Sequence, residues 1–489
     1  MARPVRFHPP RGYGEGLQLD PLATSRWQTG GEIADALAYD PNKEDRIFLG
    51  FREGKRRYTY LGVPIDDRHL VTIAGARSGK GTSSIVPNLL FYTGSVIAND
   101  PKGELARITA KHRAAKLGQQ IAIIDPFLDS GVPEGDLAAF NPLDIIDPED
   151  ENAIDEAGLL ADALVVQETG SGQHWTMAAR NFLHGVILYV ALECIGRERT
   201  LPHVRELITQ DDEGFNDLLS RMVETGGYCA QVANSIASKS DNERSSVIST
   251  AVEQTSFLAS PAMMRGLGTS TFDMDALKTS AKGLTVYLCL PARRLAKHKR
   301  FLRLLLMVAL SRMEAVPNVS VTQATANGKP VLFMLDEFPV LGHMDVIETA
   351  AGLMAGYGVK LWTILQDISQ LQRDYPKSWQ TFLGNTGLVL NFGSTDEATC
   401  AYMAKLCGET ETLSASLPEL SERERGAGKI GLNQSVTVAP LIRPDEIRRE
   451  FARDGGWAIV FQPGKHPMPV RRANYFDSQH KAIFGGKYD

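Results

Sequence analysis

Nine residues from Gly75 to Ser83, reading GARSGKGTS, place three glycines, two cations and three hydroxyls directly after an apolar, β-rich run. A glycine-rich turn between strand and helix lets successive backbone N–H groups converge on phosphate oxygens, and the helix N-terminus adds partial positive charge. The chemistry implied is phosphate binding. Gly75, Ala76, Arg77, Ser78, Gly79, Lys80, Gly81 and Thr82 form the cradle, and Lys80 reaches the β- and γ-phosphates. The octet departs from G-x-x-x-x-G-K-[ST] in two places: Ala74 holds the first glycine position, and Gly81 stands where Ser or Thr normally holds Mg2+. Thr82 follows about 100° further round a helix, which turns its hydroxyl toward the α-phosphate. Mg2+ then relies on water and a second acidic motif, with Thr82 as a secondary candidate ligand.

That motif is KPVLFMLDEF, in which the apolar run Val331–Leu335 ends in Asp336 and Glu337. A buried strand carries adjacent acids only at its edge, and open α/β sheets bind ligands at the carboxyl edge of their strands. The turn after Ala74 and the acids after Leu335 therefore share one pocket, with Asp336 holding the Mg2+ shell and Glu337 polarising the attacking water. A third strand, KLWTIL, leads into Gln366, Asp367, Ser369 and Gln370. Gln366 either senses the γ-phosphate and positions water, or belongs to a polar cap on the next helix. ATP and Mg2+ are the expected substrate and cofactor, and Glu337, Lys80 and Gln366 the candidate catalytic residues.

Positioning these groups requires a sheet. Apolar runs without polar alternation recur at 70–74, 95–99, 121–125, 284–290, 331–335, 360–365, 388–392 and 457–461. Such runs predict an α/β fold with a mostly parallel sheet buried on both faces. Residues 150–268 instead carry helical patterning without a convincing strand, which predicts an inserted all-α domain. It divides the chain into an arm at 1–60, a first part of the nucleotide-binding domain at 61–149, the insert at 150–268, and a second part at 269–489. The polar stretch 409–438 reads as a long loop.

The chain has 489 residues and a formal net charge of −6, so its surface as a whole is not a basic footprint for nucleic acid. The insert alone carries 17 acidic and eight basic side chains, which leaves +3 for the remainder. This charge reads either as a solvated helical surface or as a dock for basic protein segments. Cys194, Cys229, Cys289, Cys400 and Cys407 lack C-x-x-C spacing, which points to reduced thiols and the cytoplasm. No apolar stretch approaches the roughly 20 residues of a membrane span. The N-terminus, with Arg3, Arg6 and Arg11, reads as an arm rather than a secretory signal.

The order of these pieces resembles the ATPases of type IV secretion and bacterial conjugation, the coupling proteins of the TraG/TraD kind. ARSGKGTSSIVPNLL, VIANDPKGEL, FNPLDII, LDEFPVLG, ILQDISQL and NFGSTDEAT carry the likeness. The resemblance implies a RecA-like P-loop motor core with an inserted substrate-reading domain, assembled as a homohexameric ring. It also implies a partner set: single-stranded DNA bearing a relaxase, and the components of the secretion channel. Lys80 then matches the Walker A lysine, Asp336 and Glu337 the Walker B pair, and Gln366 the sensor. Many such proteins begin with transmembrane helices, and the first 60 residues here contain none, so either a separate partner tethers the protein at the cytoplasmic face of the inner membrane or it works as a soluble form, with Arg3, Arg6 and Arg11 touching lipid headgroups or protein. Lys360, Arg373 and Arg443 are candidate arginine-finger cations by position alone. Two other readings are a soluble HerA/FtsK-like translocase on double-stranded DNA and an ATP-ordered receptor without motor activity.

Overall fold

The computed structural model describes residues 23–54, 58–166, 173–416 and 433–488. All eight predicted strands are present. They are β3 (His69–Ala74), β4 (Val96–Asn99), β5 (Gln120–Ile124), β6 (Leu284–Leu288), β7 (Val331–Leu335), β8 (Val359–Leu365), β9 (Thr386–Phe392) and β12 (Trp457–Phe461). Three further strands, β1 (Arg46–Glu53), β2 (Tyr58–Pro64) and β13 (Met468–Arg471), complete an eleven-stranded sheet ordered β2-β1-β13-β12-β9-β3-β8-β7-β4-β6-β5. From β9 to β5 every pairing is parallel, whereas the β2-to-β12 flank is antiparallel. Strands β1 and β2 thus carry sheet structure into the first 60 residues, where the sequence alone offered an arm.

Both faces of the parallel run are covered, which is why its strands read as mostly apolar runs without polar alternation. Alternate residues serve different cores: Val331, Phe333 and Leu335 face one cluster, Leu332 and Met334 the other. The second cluster is closed by α1 (Gly30–Leu37), α2 (Val86–Phe91) and α3 (Glu104–Leu117). The first is closed by the helical block and the long helix described next.

Among the described residues, 150–268 contain no strand. They form α4 (Ala153–Leu164), α5 (Gln173–Glu193), α6 (Leu201–Ile208), α7 (Asp212–Thr225), α8 (Gly227–Ala237), α9 (Asp241–Gln254) and α10 (Pro261–Leu267). After the short α11 (Ala276–Thr279), helix α12 (Ala292–Ala315) packs on α4, and its buried residues join those of the block and the sheet in one continuous hydrophobic core.

The stretch expected as a loop is in part a hairpin. Strands β10 (Glu409–Ser416) and β11 (Asn433–Pro440) pair antiparallel over their full lengths, from Glu409 opposite Pro440 to Ser416 opposite Asn433. Its polar composition hid a β-branched pattern, with Thr410, Thr412, Val436, Thr437 and Val438 supplying strand propensity. Residues 417–432, like Arg3, Arg6 and Arg11, lie outside the described residues. No described helix is long and apolar enough to cross a membrane.

Candidate functional site

Strand β3 lies inside the parallel run, between β9 and β8, and delivers the glycine loop to the carboxyl edge. Close approach there excludes a side chain at Gly75, whose added Cβ would sit 2.0 Å from the Gly393 carbonyl oxygen. Arg77 and Gly79 have φ of +55° and +91°, which folds the loop back on itself. The Gly79 carbonyl then accepts the Ser83 N–H at 2.9 Å and the Ser83 hydroxyl at 2.8 Å. The following helix opens with a π turn, Gly81–Ile85, a form frequent at functional sites. Nothing lies within 4 Å of where a Cβ on Gly81 would stand.

Strand β7, two places along, brings Asp336 and Glu337 to the same edge. The Lys80 ammonium spans them, 2.8 Å from Asp336 Oδ1 and 2.7 Å from Glu337 Oε1. From the intervening β8, Gln366 Nε2 donates to Glu337 Oε2 at 3.0 Å. Lys80, Asp336, Glu337 and Gln366 therefore form one cluster. The polar cap is present, since Asp367 accepts the Gln370 N–H at 3.0 Å, and it leaves the Gln366 amide free to meet Glu337. Glu337 sits in the left-handed region, φ +52°, an uncommon and strained conformation for a non-glycine residue. Its N–H donates to Asp336 Oδ1 at 3.0 Å, and Asn99 Nδ2 holds the Asp336 carbonyl at 2.6 Å.

The charges are arranged unequally. Burial raises the Asp336 pKa, against the opposing pull of Lys80. Burial also works against ionisation of Glu337, but the hydrogen bond and charge of Lys80 prevail, and its carboxyl lies below the ordinary range. Lys80 is held above its usual value because the two acids outweigh its burial. Nearby Asp100, buried against the start of α3 with Oδ2 accepting the Ala106 N–H at 2.9 Å, is pushed up to about 6 by burial.

Thr82 lies on the other side of the loop. Its hydroxyl is 3.1 Å from the Gly79 carbonyl oxygen and 2.9 Å from Asn474 Oδ1. Sequence reasoning missed that neighbour and the adjacent Arg472, whose guanidinium donates to the carbonyls of Ser78 and Arg453 and lies 4.5 Å over the Phe392 ring. No motif marks these residues; the only cue is their place after the last strand. The finger candidates are placed elsewhere. The Lys360 ammonium is buried near the amino edge of β8, 2.9 Å from Asp66 Oδ1, so it cannot act at the carboxyl edge. Arg373 is exposed beside Asp374 at 2.8 Å, and Arg443 precedes the helix Pro444–Glu450. The five cysteines are unpaired with one another, four of them buried.

A cation clamped between two carboxylates beside a glycine loop is an arrangement that can exchange its partners for phosphate oxygens. The chain is also similar along most of its length to known proteins. The chain is 26% identical over 424 residues to the conjugal transfer protein TraG of Escherichia coli, covering 81% of this chain and 64% of the relative. It is 29% identical over 466 residues to VirD4 of Agrobacterium fabrum, covering 93% and 66%. The chain thus spans about two thirds or less of the length of these relatives. The solved plasmid coupling protein TrwB, in complex with ADP and Mg2+, superposes with a TM-score of 0.65 at 16% identity, over 94% of this chain and 97% of that one. This likeness supports the α/β, RecA-like core. Residues 18–488 match the type IV secretory system conjugative DNA transfer family, and the chain belongs to it.

Proposed function

We propose that the chain is the nucleotide-hydrolysing part of a conjugative coupling protein, binding ATP on Gly75 to Thr82 and recruiting relaxase-bound DNA for transfer through a type IV secretion channel. The observation that carries this reading is the convergence of Lys80, Asp336, Glu337 and Gln366 at one sheet edge. TrwB, which shares the fold, has been solved with ADP and Mg2+.

The site suits both groups. The open space at Gly81 leaves the loop accessible to a phosphate, and the paired carboxylates already hold a cation between hard oxygen donors, the donor type Mg2+ prefers. Asp336 would hold Mg2+, whereas the Thr82 hydroxyl is turned away from it toward Asn474 and does not serve as a second ligand, and the metal when bound supplies charge neutralisation at the β- and γ-phosphate oxygens. Lys80 exchanges its carboxylate partners for phosphate oxygens and neutralises charge developing at the γ-phosphate. Glu337, ionised at neutral pH, accepts a hydrogen bond from the attacking water, and Gln366 keeps its carboxylate oriented. Phosphoryl transfer of this kind depends on positioning and charge stabilisation more than on strong base chemistry.

The acidic helical block, Asp150 to Gly268, would receive basic segments of a relaxase or adaptor. DNA, the channel components, a ring of six copies and a separate membrane-anchoring partner complete the proposed assembly at the cytoplasmic face of the inner membrane. ATPase rates with no DNA, single-stranded DNA and duplex DNA, each with and without a relaxase, test the reading. Turnover stimulated by relaxase-bound single strands supports a coupling ATPase. Translocation on naked duplex would instead favour a HerA/FtsK-like motor, and ATP binding without turnover an ATP-ordered receptor.

A further inference from the structure

The segment after β13 reaches the glycine loop from the flank opposite the catalytic acids. In the sheet, β7 and β8 lie on one side of β3, while β9, β12 and β13 lie on the other. Because β13 runs antiparallel to β12, and β12 antiparallel to β9, the chain leaves β13 at the carboxyl edge beside the loop. Three contacts fasten it there: Arg472 donates to the Ser78 carbonyl, the Thr82 hydroxyl lies 2.9 Å from Asn474 Oδ1, and the Tyr475 N–H donates to the Thr82 carbonyl at 3.1 Å. Asn474 is itself held by Asp477, to which its Nδ2 donates at 3.1 Å.

This anchored segment ends in an aromatic ring left open to solvent. Phe476 is 54% exposed. It meets its aromatic neighbour edge-on: the Tyr475 and Phe476 rings are 5.3 Å apart at 82°, and Tyr475 is braced in turn by Tyr488 at 4.8 Å. The direction of a bound nucleotide follows from two points. With its γ-phosphate at Lys80 and Glu337, a triphosphate lying along the loop has its α-phosphate toward Thr82, and the base lies beyond Thr82, where this segment is fastened.

We propose that Phe476 is the stacking platform for the nucleobase, held in place by the contacts of Arg472, Asn474 and Tyr475 to the loop. The inference rests on the nucleotide-binding reading of the same site. An aromatic face is sequence-tolerant, since every base offers a π surface, and such a stack is worth about tenfold in affinity.

Calorimetric titration of the full chain with Mg-ATP and with Mg-tripolyphosphate tests it, because the second probe has the phosphates and lacks the base. In Phe476→Ala, ATP affinity should fall about tenfold while tripolyphosphate affinity is unchanged, and Phe476→Tyr should restore ATP binding. Equal ATP affinity in Phe476→Ala and the parent chain would overturn the proposal and assign the exposed ring to another surface, such as a contact between copies. Parallel weakening of both probes would also overturn it, since the variant would then be disturbing the loop. If the parent chain binds neither probe, the nucleotide reading itself fails, an outcome distinct from the other two.

Discussion

Lys80 and Glu337, 257 positions apart in the chain, meet at 2.7 Å, and the second oxygen of that carboxylate is taken by Gln366 at 3.0 Å. One side chain from each of three neighbouring strand ends thus closes a single cluster. The ammonium is also shared with Asp336, so its removal would leave two carboxylates facing each other in a buried setting.

Lys80→Ala should therefore weaken ATP binding by at least about tenfold, the scale of a lost charge-assisted hydrogen bond. Titration with a fluorescent ATP analogue measures this directly. Unchanged affinity would remove Lys80 from the phosphate site.

Glu337→Gln keeps the size of the side chain and its bond to Gln366 in altered polarity, but it cannot orient water as a carboxylate does. ATP binding should persist while steady-state turnover falls by about 100-fold or more. Full turnover in this variant would exclude Glu337 from the reaction.

Two glycines in the loop should respond oppositely to a side chain. Gly75→Ala drives a Cβ to within 2.0 Å of the Gly393 carbonyl, a backbone atom that can yield only by moving β9, so thermal melting should drop by several degrees. Gly81→Ser meets open space and should melt like the parent chain. Equal melting temperatures for all three proteins would contradict the loop geometry.

Arg472→Ala leaves the carbonyls of Ser78 and Arg453 without their charged donor, and should destabilise the chain by about 2 kcal/mol. Arg472→Lys cannot reproduce the two-pronged contact and should recover only part of this. Denaturant unfolding monitored at the same temperature for both variants supplies the comparison.

His69, at the start of β3, has both ring nitrogens engaged in its neutral form: Nδ1 accepts the Leu361 N–H at 3.2 Å, and Nε2 donates to the Ala350 carbonyl at 3.1 Å. Burial, the leading cause, holds its pKa below 6.5. The unfolded chain then binds the proton more tightly than the folded one, so the contribution of His69 is complete above pH about 6.5 and lost as pH falls through that value toward the folded pKa. A His69→Gln variant should show a shallower loss of stability than the parent between pH 7 and 5. A parallel loss in both would mean that His69 contributes nothing to the acid response.

Much of this arrangement was legible because burial on both faces writes itself into composition. The strands ending at Ala74, Leu335 and Leu365 are buried and mostly apolar, and the candidate site residues stand directly after each run. The antiparallel flank left weaker marks. β1 begins and ends in charged residues and shifts register between Phe48 and Gly50, while β13 is four residues long and contains Pro469. Arg472 and Asn474 escaped notice because their roles come from tertiary proximity to the loop, which no local spacing records.

Helix α12 has a mechanical consequence. Packed against α4 on one side, it extends Arg303 on the other to the carbonyls of Leu341 and His343, at 2.8 and 2.6 Å, in the turn that follows Glu337. Under the proposed function, a tug on the helical block by an arriving cargo would be transmitted through this strut to the backbone just beyond Glu337, the acid assigned there to orient water, so capture of a passenger and firing of the engine need not be separate events.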